Sequence, residues 1–135
     1  MTGESWNPPI AGDPHNAPET SGDSPDLLAV RDIAEVSAVE VITAAAVHLM
    51  SAAAVKCGLA EDVEADLDEA RKLITVLAAL VTAAAPEIAD RHARPLRDGL
   101  RSLQLAFREA SEVPDAPGDG PGERLTGPVS PTRIR

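Results

Sequence analysis

From Val39 onward, Ile42, Ala46, Leu49, Met50, Ala53 and Cys57 recur at steps of three and four, the spacing of one buried helix face. Ser37-Ala38-Val39-Glu40 at its start has the form of a capping box, so the helix either restarts at Ser37 or runs through it. Gly58 suits the position just past a helix end. A second stripe, Leu67, Ala70, Ile74, Leu77, Leu80, Val81 and Ala84, predicts a helix running to about Ala84. Glu61, Asp62, Glu64, Asp66, Asp68 and Glu69 crowd its start, where the helix dipole favours carboxylates, and Asp62 or Asp66 offers the cap. Pro86 fits the first turn of a third helix with Ile88, His92, Leu96, Leu100, Leu103, Phe107 and Ala110 on its apolar face. Pro95 and Gly99 weaken its first half and place a kink near Arg91.

Proline and glycine punctuate the rest. All but Pro86, Pro95, Gly58 and Gly99 fall in 1–25 or 114–135. Both segments therefore read as disordered tails, the first acidic and the second rich in Pro and Gly, around a helical domain at 26–113. A short additional helix is expected from Ser24-Pro25-Asp26, which supplies a cap oxygen, a first-turn proline and a carboxylate. The fold class is all-α, a small antiparallel helical hairpin or three-helix bundle.

Two of the helices are apolar on nearly every side. Thr43, His48 and Ser51 are the polar interruptions of 41–55, and Thr75 and Thr82 those of 73–85. A helix apolar all round needs burial all round, which a three-helix bundle does not give to two of its members. Self-association into a homo-oligomer, most simply a dimer, resolves the mismatch, with Ile42, Leu49, Met50, Leu77 and Leu80 expected in the oligomer core. The alternative is a monomer that leaves an alanine face exposed. Both uncharged runs are shorter than the ~20 residues needed to cross a bilayer, so neither is expected to span one, and peripheral membrane association through a partly inserted hairpin 41–85 stands as an alternative reading.

Composition narrows the class of function. Among 135 residues, 12 Lys and Arg face 22 Asp and Glu, a formal charge of −10, which argues against a DNA partner. One Trp, one Phe and no Tyr mean an aliphatic core. The single Cys57 excludes an internal disulfide, and the start Met1-Thr2-Gly3-Glu4 has neither the basic flank nor the apolar run of a signal peptide, so a cytoplasmic location is expected.

Candidate chemistry is sparse. His15, His48 and His92 have spacings that match no zinc pattern, and the chain has no Gly-rich phosphate loop, no Gly-x-Ser-x-Gly elbow and no Cys-x-x-Cys pair. Cys57 at a helix C-terminus meets negative partial charge, which raises a thiol's pKa and makes a poor nucleophile. No cofactor, no metal and no enzymatic activity are expected, with a small-ligand or metal site near His48 and His92 as an alternative reading. Arg94, Arg97, Arg101 and Arg108 lie within one sector of the third helix and form a basic stripe. It either contacts an RNA or acidic protein or is a solvated face pairing with Asp98, Glu109 or the carboxylates of 61 to 69. In the C-terminal segment, Leu125 to Val129 is a candidate linear motif.

The blocks Arg31-Asp32-Ile33-Ala34-Glu35-Val36, Val47-His48-Leu49-Met50-Ser51-Ala52-Ala53-Ala54-Val55-Lys56 and Leu67-Asp68-Glu69-Ala70-Arg71-Lys72-Leu73-Ile74 carry a family resemblance. So does the run from Ala93-Arg94-Pro95-Leu96 to Phe107-Arg108-Glu109-Ala110-Ser111. The chain resembles an uncharacterised actinobacterial family catalogued as domain of unknown function 1844, over about residues 30 to 129. The resemblance implies a small intracellular helical protein with no catalytic residues to carry over. Genes of that family often neighbour one for a translation initiation factor, which implies a ribosomal or translation-factor partner for the arginine stripe or the tail.

Overall fold

The computed structural model describes residues 34–130. The expected acidic tail at 1–25, its His15 and the helix from Ser24 lie outside those residues. The described helices fall almost wholly in the unit Val39–Arg135, which α1 enters from Ala38. These are α1 (Ala38–Lys56), α2 (Leu67–Ala84), α3 (Asp90–Ala110) and the single turn α4 (Glu123–Thr126), with a 3₁₀ turn at Ala85–Glu87. No strand occurs among the described residues.

Local sequence sets most of these boundaries. Helical backbone at Ala34 and Glu35 gives way to a bend at Val36, and α1 starts afresh directly after Ser37, at the place of the capping box. At the far end of α1 the Gly58 N–H donates to the Val55 carbonyl at 3.0 Å. Asp66 caps α2, its carboxylate accepting from the Glu69 N–H at 3.3 Å. Asp62, the other candidate cap, instead takes a positive φ of 63° in the turn before it.

The third helix departs from expectation at its start. Pro86 sits in the 3₁₀ turn, Ile88 and Ala89 are extended, and α3 begins only at Asp90. The physical reason is Ile88: it is buried, and extended backbone turns it into the core while its N–H still bonds the Ala84 carbonyl at 3.1 Å. The chain bends there, and no kink is needed near Arg91. Pro95 lies inside α3, exposed and close to its first turn. The hydrogen bond it forfeits belongs to the wet end of the helix, where the loss is least costly.

α2 and α3 form the central antiparallel pair. Ile74 and Leu77 are wholly buried, with Ala70, Ala78, Val81, Leu96, Leu100, Leu103 and Phe107 around them. Burying each of the larger side chains contributes about 1.5–3 kcal/mol. Leu77, expected in an oligomer core, is completely buried within the chain itself. In a helix apolar all round, periodicity does not say which stripe faces its own hairpin.

α1 packs through the stripe predicted for it. Ala46, Ala53 and Cys57 are buried, and Val39, Ile42, Leu49, Met50 and Ala54 lie half-buried against the core. Ile42, Leu49 and Met50 thus serve the chain's own core, as does half-buried Leu80. Met50 Sδ occupies the space that a side chain at Gly99 would fill.

Residues 114–130 are the largest correction. Composition marks them as a disordered tail, yet they fold back along α2 and α3 as an ordered strap. Pro121, Glu123 and Val129 are buried, and Gly122 lies so close to α2 that a Cβ there would come within 2.6 Å of Ala78 Cβ. Gly99 and Gln104 are five residues apart on α3 and so point about 140° apart. The strap therefore lies on one flank of α3 and α1 on another. Polar side chains of the two helices, satisfying strap carbonyls one by one, hold it in place, and strap composition carries no trace of them. Residues 131–135 lie outside the described residues.

Candidate functional site

The anchoring of the strap uses residues that looked like a free basic stripe. Arg71 of α2 reaches both carboxylate oxygens of Asp115, at 3.1 and 3.3 Å, with its guanidinium 4.9 Å from the centre of the Phe107 ring. Arg108 donates to the Asp115 carbonyl at 3.1 Å, and Arg101 to the Ser130 carbonyl at 2.9 Å. Between them, Gln104 Nε2 donates to the Pro121 carbonyl and to Thr126 Oγ1, both at 3.1 Å. Glu123 is buried, and its Oε1 accepts from the Gly118 N–H at 2.8 Å, closing the strap's own loop.

The stripe is thus divided in function. Arg108 and Arg101 hold strap backbone, whereas Arg94 and Arg97 stay exposed and share Asp90 at 2.9 and 3.1 Å. Hydrogen bonds from Arg94 and then Arg97 hold the Asp90 carboxyl below its ordinary range, and the same Asp90 contact raises Arg94. The carboxylate that pairs with them is Asp90 at the helix start, not Asp98, Glu109 or the carboxylates of 61–69.

The strap and helices line a half-open cavity of about 440 Å³. Val81, Leu100, Leu125 and Val129 give it aliphatic walls, and Arg97 and Arg101 bring guanidinium groups to its edge. Leu125 to Val129, the expected linear motif, is one of these walls. No single segment contains this site, since its parts come from positions 81 to 129.

A second feature is the outer side of α1. Only Ala46 and Ala53 of its 19 residues are buried. Val41, Val47 and Val55 are 41%, 48% and 37% exposed, values high enough to leave a valine face in water. Val41, Ala44, His48, Ser51 and Val55 recur at alternate steps of three and four and fall on this side, all of them exposed. α1 is also long and apolar enough to cross a membrane by length and composition, with a mean hydropathy of 1.7 over its most apolar window. The sequence estimate counted only its uncharged stretch and so missed the flanking residues.

The remaining candidates are dispersed. His48 is exposed on α1, and His92 is half-buried on α3, its Nε2 accepting from Arg91 Nε at 3.3 Å. Among the described residues, no three His, Cys, Asp or Glu side chains converge in a group able to hold a metal ion. Burial pushes the Cys57 thiol above its ordinary value.

No curated protein and no solved structure matches the chain. A family model does match residues 38–109, from the start of α1 almost to the end of α3 and more than half of the chain. The strap lies beyond the matched region. The chain belongs to the family described as Domain of unknown function (DUF1844).

Proposed function

We propose that this protein is a non-enzymatic helical assembly module that pairs with a second copy of itself through the outer side of α1. The observation that carries this reading is the open face Val41, Ala44, His48, Ser51 and Val55. Valine and small side chains on either side of His48, at heptad-like spacing, allow two helices to approach closely, and such a face is self-complementary across a twofold axis. The face differs from the earlier expectation, which put Ile42, Leu49, Met50, Leu77 and Leu80 at the interface.

The test is sedimentation at several concentrations with wild-type protein and an Ala44→Glu variant. Ala44 is exposed, so the fold tolerates the charge. The expected result is a wild-type dimer and a variant of unchanged helicity that sediments as monomer. A wild-type monomer at every concentration would sink the proposal.

The exposed Arg94 and Arg97 supply the surface for a heterologous partner, and the family resemblance directs that partner to the translation machinery. Salt-sensitive recovery of ribosomal proteins or an initiation factor by full-length protein, lost with Arg94→Gln/Arg97→Gln, supports this part. Equal recovery by the variant overturns it. The length and apolarity of α1 favour a second reading, insertion of that helix at a membrane. Flotation with liposomes separates it from self-pairing in water, and with either reading the expected site of action is the cytoplasmic side.

A further inference from the structure

We propose that the cavity between α2, α3 and the strap binds a small aliphatic carboxylate, with its chain against Val81, Leu100, Leu125 and Val129 and its head group on Arg101. At about 440 Å³ the cavity falls in the usual range for small-molecule sites, roughly 300–1,000 Å³. No aromatic ring lines it to stack on a base, which points away from nucleotides.

The charge follows from the arginines. Arg97 already shares Asp90. Arg101 has a backbone carbonyl as its partner and no carboxylate within ion-pair distance among the described residues, although its guanidinium has five N–H donors. One anionic head group therefore completes it, and a planar carboxylate matches its fork. A cation meets two guanidinium groups, and a neutral hydrocarbon gains nothing from them. Gln104 Nε2, also in the lining, is committed to Pro121 and Thr126. Polar discrimination is left to the arginine end and shape to the aliphatic end. The ligand reading is independent of self-pairing, because the cavity residues belong to α2, α3 and the strap and the open valine face belongs to α1.

The experiment is calorimetric titration of the full-length protein, paired with thermal unfolding, using octanoate, octanol and inorganic phosphate at constant ionic strength. Octanoate is expected to bind saturably and raise the unfolding temperature, with octanol and phosphate each weaker by roughly tenfold or more, the loss of one charge-assisted contact or of the buried chain. Arg101→Gln should weaken octanoate to the level of octanol. Because that variant also loosens Ser130, Ala85→Leu serves as a second one: it fills the cavity from the helix side, leaves the strap bonds intact and should abolish binding. No saturable octanoate binding, equal binding of octanol or phosphate, or full binding by Ala85→Leu would each overturn the assignment.

Discussion

The side-chain amide of Gln104, buried in the middle of α3, donates to the carbonyl of Pro121 at 3.1 Å and so joins the helix to the strap. Its second hydrogen goes to Thr126 Oγ1 at the same distance. One neutral side chain therefore organises both ends of α4. Gln104→Leu keeps approximate size while leaving the buried Pro121 carbonyl without its donor, at a cost of about 1–3 kcal/mol. Denaturant unfolding should show that loss, and limited proteolysis should cut 114–130 faster than in wild type. Unchanged cleavage would mean that the bond does not hold the strap.

Gly122 makes a sharper test of strap docking. Its φ of 78° is unfavourable for any residue with a Cβ, and that Cβ would press on Ala78. Gly118 has a similar φ of 88° but open space around it. Gly118→Ala is expected to cost only the conformational part, about 1–2 kcal/mol, and Gly122→Ala about 1–3 kcal/mol more from overpacking. Equal losses for the two variants would show that the strap does not press on α2.

On α3, Gly99 is kept small by Met50 of α1 rather than by its backbone. Gly99→Val should destabilise by about 1–3 kcal/mol through overpacking, even though leaving glycine favours the helix. Hydrogen exchange is the measurement, with α1 amides exchanging faster while those of α2 stay protected. Met50→Ala in the same chain should restore part of the loss, because the two residues share one space. Strict additivity would contradict the contact.

Cys57 reports on the end of α1. Its thiol is raised by burial, so the folded state favours the neutral form. Stability from this group is present below the ordinary thiol range, near 8.5, and declines as pH rises through the folded value. Alkylation by iodoacetamide at neutral pH should be much slower than for the unfolded chain, and Cys57→Ala should remove part of the alkaline decline. Rapid labelling of folded protein would show that α1 detaches readily.

The sequence by itself determined the helices and their inward stripes. Spacing placed Ala46 and Ala53 in α1, Ile74 and Leu77 in α2, and Leu96 to Phe107 in α3 on the buried side, because helical periodicity is a local property. The cap at Asp66 and the break after Ser37 were legible for the same reason. Tertiary structure alone decided how little of α1 its own chain covers, leaving the side of Val41 and Val55 open, because the spacing of a helix apolar all round does not say how many of its sides find a neighbour. It also decided the fate of 114–130. Little in that segment signals order, and what orders it is Arg71, Gln104, Arg101 and Arg108, whose partners lie seven to forty-four residues away in sequence. The cavity follows from that docking, since its aliphatic walls and guanidinium groups become a single site only when the strap closes over the helix pair.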